Sequence, residues 1–212
     1  MAKALAKELN YIYVDTGAMY RGVTWFALEK KWIDNEKTDE QQIITSLKTI
    51  DLQFHFVNDA TKASLFVNGE NVEQAIRSIH VAQFVSKIAA IKEVRTHLVA
   101  LQRKMGENGG VVMDGRDIGS VVFPNAEVKF FLTASPEIRA QRRFDELKAK
   151  GEEVSFEEVY SNLAMRDELD SSRAESPLIQ TADAIVLDNS NLTEEEQLSY
   201  ALNFVKNKLA CN

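Results

Sequence analysis

The chain has 212 residues, 45% of them hydrophobic and 27% charged, with 9 Gly and 3 Pro. That is an ordinary globular composition, and it excludes disordered, collagen-like and low-complexity classes. A net charge of -7, from 25 Lys+Arg against 32 Asp+Glu, argues against a broad nucleic-acid or anionic-membrane surface, but not against arginines gathered around a small phosphate.

The size fits one domain, or one domain carrying a small insert. The single Cys211 has no internal disulfide partner, which fits a reducing, cytoplasmic setting. It has no sign of a catalytic partner either. No apolar run approaches the ~20 residues that span a bilayer, and Lys3, Lys7 and Glu8 break the first segment as a signal peptide.

Met1, Ala4, Leu5 and Leu9 fall at helical spacing, so the first ten residues predict a helix with one buried face. No cap residue precedes it. Residues 11–14 read as a short buried strand ending in Asp15-Thr16-Gly17, a polar loop. Residues 18–31 read as a helix with Met19, Val23, Phe26 and Leu28 among its apolar positions.

Ile50, Leu52, Phe54 and Phe56 alternate with polar residues, the pattern of a half-exposed strand. Residues 63–67 run into Asn68-Gly69, which favours a type I′ hairpin turn. An antiparallel subdomain over roughly residues 45–80 is therefore expected inside an alternating α/β chain. Apolar residues from Val81 to Met105 keep helical spacing, as one helix or two.

Residues 111–113 form a second apolar run, ending in Asp114-Gly115-Arg116-Asp117, and 128–132 a third. Ser135-Pro136 starts a helix with a cap and Pro at its first position. Ser155-x-x-Glu158 is a capping box, as is Thr193-x-x-Glu196. Between them 184–187 is the last strand. The final helix is expected to bury Leu198, Ala201, Leu202, Val205 and Leu209. Short strands alternating with helices predict one parallel sheet with ligands at the strands' C-terminal ends.

Polar clusters fall at three places: Asp15-Thr16-Gly17 with Arg21, then Asp114 to Asp117, then Arg166, Asp167, Asp170 and Arg173. In a helix 166, 170 and 173 share one face. They read either as a solvated ladder of ion pairs or as a ligand site. Guanidinium groups stay charged and bind phosphate oxygens in pairs, so Arg21, Arg116, Arg166 and Arg173 near strand ends suit a small polyanion.

VDTGAMYR (14–21), DGRDIG (114–119), FPNAEVKFFLTAS (123–135) and the spaced Arg166, Asp170 and Arg173 together resemble bacterial cytidylate kinases. The resemblance runs through essentially the whole chain, including the hairpin insert. It implies an α/β fold: a three-layer nucleoside-monophosphate-kinase-like parallel sheet flanked by helices. The small antiparallel insert would belong to a monophosphate-binding region at about 45–100. A lid at about 139–170 would close over ATP.

The resemblance implies phosphoryl transfer from ATP, with Mg²⁺, to CMP or dCMP. Thr16 would lie near the monophosphate and Arg21 would bind its phosphate. Asp117 would hold the ribose, while Ser86, Arg95, Asp170 and Arg173 would read cytosine. An acceptor carboxylate suits cytosine's amine, and Arg and Ser donors suit its carbonyl and ring nitrogen. Arg116 and Arg166 would be the catalytic cations on the moving phosphoryl group.

Alternatives stay open at several positions. Ser86 reads the base or faces solvent, and Arg95 is a ligand or a surface arginine. Asp15 holds Mg²⁺ through water or caps a helix. Arg142 and Arg143 touch ATP from the lid or are two solvated side chains. His55, His80 and His97 lack metal-ligand spacing. A monomer is expected, with no nucleic-acid or membrane partner.

One element of the family pattern does not occur. None of the 9 Gly belongs to a G-x-x-x-x-G-K-[ST] phosphate loop, whose N–H groups and Lys cradle ATP phosphates. About 15–20 residues, a strand and that loop, would be expected ahead of the first helix, with Met1 an internal methionine. Without them two neighbouring strands would lose a partner and the core would open to water. The 212-residue chain would then be poorly active and less stable. The alternative reading is a non-catalytic nucleotide-binding or interaction protein on the same fold.

Overall fold

The computed structural model describes residues 1–56, 63–173 and 175–210; Cys211 lies outside them. Residues 2–118 and 119–210 fall into two compact units.

In residues 2–118 the order is α1 (Ala2–Leu9), β1 (Ile12–Asp15), α2 (Thr16–Glu29), α3 (Glu40–Ser46), β2 (Leu52–Phe56), β3 (Ala63–Val67) and β4 (Glu70–Asn71). A 3₁₀ turn, Ala75–Arg77, follows, then α4 (Ile79–Ala90), α5 (Lys92–Met105) and β5 (Val111–Asp114). Asp15 starts α2 by accepting the Ala18 N–H at 2.9 Å, which satisfies one of the first turn's spare donors. Ser78 does the same for α4 at Val81. α3 was not foreseen; Asp39 caps it through Gln42.

The long apolar stretch resolves into two helices. Ile91, in an extended conformation, ends α4 and precedes α5. Asn68 and Gly69 have φ of 50° and 83°, the left-handed pair that a type I′ turn needs. The turn sets β3 against β4, and β2 pairs β3 antiparallel from Leu52 opposite Val67 to Phe56 opposite Ala63. α2, α4 and α5 pack with this sheet. Their apolar stripes close a core through Met19, Val23, Leu65, Ile76, Ile88 and Leu98.

Residues 119–210 contain β6 (Phe130–Thr133), α6 (Pro136–Ala149), α7 (Phe156–Ser172), β7 (Ile185–Asp188) and α8 (Glu194–Ala210). A π-helical turn, Ile118–Val122, precedes β6. α6 and α7 pack together, with Phe144 edge-on to Phe156 at 6.2 Å. Both capping boxes form: Ser155 with Glu158 on α7, and Thr193 with Glu196 on α8.

Three expectations need correction. The parallel strands form two pairs, β1 with β5 and β6 with β7, rather than one sheet. They are also less buried than their apolar runs predict. Ile12 is 55% exposed, Leu132 42% and Val186 48%. The physical reason is that each strand has one hydrogen-bonded strand neighbour among the described residues, so its other edge lacks cover. In α8, Ala201 and Val205 are buried, Leu198 and Leu202 only partly, and Leu209 is exposed. Among the described residues, no helix is long and apolar enough to cross a membrane.

Candidate active site

The register of β1 on β5 sets Asp15 directly opposite Asp114. Two carboxylates therefore stand abreast at the C-terminal ends of parallel strands, where α/β folds gather ligand-facing groups. Each is held differently. Oδ2 of Asp15 accepts from Nη2 of Arg21 at 2.9 Å and from Nη2 of Arg77 at 2.8 Å. Oδ2 of Asp114 accepts from the Tyr13 hydroxyl at 2.7 Å.

The electrostatics follow from this crowding. Burial, and then the Asp15 charge alongside, push the Asp114 carboxyl above its ordinary value. Burial and Asp114 likewise raise the Tyr13 hydroxyl. Burial pulls Arg21 down, with Asp15 opposing. Burial also opposes the charge on Arg77, but Asp15 and Glu73 outweigh it and raise its pKa.

Thr16 is buried, and its hydroxyl donates to the Asp114 carbonyl at 2.6 Å. This bond ties the start of α2 to the loop after β5. A Cβ on Gly115 would lie 2.2 Å from Thr16 Oγ1, so only glycine allows this approach. Arg116, next in that loop, is exposed.

Asp117 turns inward and forms an ion pair with Arg95 in which both residues are 4% exposed. Arg95 also donates to the Ala89 carbonyl at 3.2 Å, and its guanidinium carbon lies 5.5 Å from the Tyr20 ring centroid, within cation–π range. The surface-arginine alternative for Arg95 is thereby overturned. Ser86 on α4 is half-buried.

The remaining residues lie in the other unit. Asp170 is buried on α7 and accepts from Arg173 Nη1 at 3.2 Å. Arg173 also donates to the Ser176 carbonyl at 2.7 Å. Arg173 does not continue the helix face of Arg166 and Asp170. α7 ends at Ser172, and Arg173 is its cap with extended backbone, φ -62° and ψ 143°. The pair is thus made by a chain turning away, not by an i, i+7 ladder. Arg166 is half-buried on α7, and its neighbour Asp167 pairs with Arg139.

Arg142 donates to the Asn189 side chain at 2.9 Å and to the Asn189 carbonyl at 2.7 Å, while Arg143 pairs with Glu146 at 2.7 Å. Among the described residues no three His, Cys, Asp or Glu side chains cluster as metal ligands. Asp15 takes the helix-cap role, and its two oxygens accept from Ala18, Arg21 and Arg77.

The sequence reading missed Arg77 and Glu73. Their i, i+4 spacing signals a helical ion pair, but nothing in it reveals that Arg77 reaches Asp15. It also gave Asp114 no role, although the carboxylate closes the strand on which the site is built.

Comparison with known proteins agrees with the motifs. The sequence model described as cytidylate kinase matches residues 1–207. A protein named cytidylate kinase from Flavobacterium johnsoniae is 54% identical over 205 residues, covering 97% of this chain and 89% of the relative. One from Parabacteroides distasonis is 52% identical over 202 residues, covering 95% and 88%. One from Flavobacterium psychrophilum is 48% identical over 207 residues, covering 98% and 92%. The fold and the charged strand ends define a nucleotide phosphotransferase. This chain belongs to the cytidylate kinase family.

Proposed function

We propose that the protein catalyses ATP-dependent phosphorylation of CMP and dCMP in the cytoplasm, as a monomer. The observation that carries the reading is the set of charged groups at the ends of β1 and β5, Asp15, Arg21 and Asp114, in a chain of this family. Arg21 takes the acceptor's phosphate beside Thr16. Asp117, oriented by Arg95, takes the ribose. Asp170, oriented by Arg173, accepts from the exocyclic amine of cytosine, with Ser86 and Arg95 as further base contacts.

Phosphoryl transfer needs positioning and charge stabilisation more than covalent chemistry. Arg116 and Arg166 supply the charge. The exposed position of Arg116 just after β5 suits a group that meets substrate from the solvent side. Mg²⁺ enters bound to ATP, as is usual for a cation that keeps phosphate and water ligands. α6 and α7 form the lid at about 139–170, and residues 45–100 the monophosphate-binding region.

The base assignment is tested by Asp170→Ala and Asp170→Asn. A carboxylate facing the uracil carbonyl lacks a donor, so the wild type should prefer CMP to UMP. Asp170→Ala should reduce that preference about ten- to a hundredfold, the scale of one charged hydrogen bond. An unchanged CMP/UMP ratio in a folded variant would remove Asp170 from the base site.

A further inference from the structure

We propose that Arg139 is a positioning residue for Arg166 and Asp170: it clamps Asp167 of α7 to the end of β6 and so fixes where its helical neighbours stand. The proposal rests on the reading of Asp170 as a base contact and of Arg166 as a cation on the phosphoryl group. Arg139 lies on α6, and its guanidinium serves two other elements at once. Nε donates to the carbonyl of Ala134, the residue after β6, at 3.2 Å. Nη1 donates to Oδ2 of Asp167 on α7. A planar guanidinium holds two acceptors on different edges in a fixed relation, which a lysine ammonium on a flexible stem does not.

The β6 end of the clamp is itself fixed. The Thr133 carbonyl accepts from the Asn189 N–H at 2.8 Å, and the Ser135 N–H donates to Oγ of Ser190 at 2.9 Å. Ala134 therefore sits between two bonds that tie the end of β6 to the chain leaving β7. Its carbonyl is a firm point for Arg139.

The α7 end needs such an anchor. Val159 is the last apolar residue of α7 to be buried; Leu163 is half-buried, and Met165 and Leu169 are exposed. Phe156 meets Phe144 of α6 at the start of the helix, about 16 Å along the axis from Asp167 at a rise of about 1.5 Å per residue. Apolar packing thus holds the first half of α7 and leaves the placement of the second half to polar contacts. The bonds of Asp170 do not supply the anchor. Its carboxylate accepts from Arg173 at 3.2 Å and its carbonyl from the Leu178 N–H at 2.7 Å, both from the chain that continues α7 rather than from another element. Asp167 is directly beside Arg166 and one turn before Asp170, so a shift at Asp167 displaces both.

Two competing accounts give Arg139 a direct contact with nucleotide, or make the pair a contributor to stability alone. A double-variant cycle separates them. Two residues that act through one contact lose it once, whereas a direct ligand contact adds a separate loss. The test is calorimetric titration of the intact chain with CMP and UMP, together with amide hydrogen exchange. It compares wild type, Arg139→Gln, Arg139→Lys, Asp167→Asn and the double variant Arg139→Gln/Asp167→Asn.

Arg139→Gln and Asp167→Asn should each lower the CMP/UMP affinity ratio about three- to tenfold, the lower part of the range for residues in one ion-pair network. The double variant should lose no more than the worse single one, and Arg139→Lys should fall between wild type and Arg139→Gln. Amides of residues 163–170 should exchange faster in both single variants, while those of 156–160 keep wild-type protection. An unchanged ratio in both single variants overturns the proposal. So do losses that multiply in the double variant, or faster exchange along the whole helix. If Arg139→Gln does not fold, Asp167→Asn decides by the same criteria. A wild type with no preference for CMP sinks the base reading, and exchange then decides the clamp: faster exchange confined to 163–170 keeps it, and unchanged exchange there overturns it.

Discussion

Residues 2–118 and residues 119–210 are stabilised in different ways. The first unit closes over a core of large side chains, with Met19, Ile33, Ile43, Leu65, Ile76 and Leu98 fully buried. The second buries fewer large ones, Leu147 and Leu187 beside Val122, Val159, Val205 and three alanines, and leaves Met165, Leu169 and Ile179 on the surface. It also carries capping boxes and ion pairs such as Arg139–Asp167 and Lys129–Asp183. Apolar burial is non-directional and cumulative, whereas exposed ion pairs contribute little each. Thr16, Arg21, Ser86, Arg95 and Asp117 thus stand on the unit with the larger apolar core, whereas Arg166, Asp170 and Arg173 stand on the unit with less burial.

The largest effect should come from breaking the core that sets the first unit apart. Leu98→Ala should cost about 2–5 kcal/mol in urea unfolding, the range for large-to-small changes at fully buried sites. Leu132→Ala, at an exposed strand position of the second unit, should stay within about 0.5 kcal/mol. Equal costs would erase the contrast.

A smaller effect is expected where the loop after β5 meets the start of α2. Gly115→Ala would drive a methyl group into the Thr16 hydroxyl and should destabilise by about 1–3 kcal/mol, the usual cost of overpacking. A variant as stable as wild type would mean that the Thr16–Asp114 contact is not rigid.

The smallest effect concerns Asp114 and appears only with pH. Its folded pKa lies above its unfolded value because burial and Asp15 disfavour the charge. Its favourable contribution is therefore complete below the unfolded value of about 3.9 and is lost as pH rises through the raised folded value. Asp114→Asn keeps an acceptor for Tyr13 without the charge. Its Tm should exceed that of wild type at pH 7, with the gap narrowing as pH falls towards about 4. A gap independent of pH would contradict this assignment.

Much of the fold was legible because its signals are local. Asn68-Gly69 forces positive φ at two successive residues, and Ser155-x-x-Glu158 closes a reciprocal cap; both formed as read. The helical stripes of α2, α4 and α5 pointed to the core directly. Strand burial was not legible, because an apolar run shows what a strand prefers and not how many neighbours it has. Arg95 illustrates the same limit: its charge suggested the surface as one option, and only the distant Asp117 and Tyr20 explain its burial. Arg77 was invisible for the same reason, since its partner Asp15 is brought close by the sheet and not by spacing.

The most direct test of the central claim is ADP release with ATP, Mg²⁺ and CMP, dCMP, UMP or AMP. It should be run on the wild type beside Asp170→Ala. The account predicts turnover with CMP and dCMP preferred by the wild type, and a reduced preference for CMP over UMP in the variant. No turnover of any monophosphate, or turnover with AMP or UMP preferred, would contradict the cytidylate kinase reading.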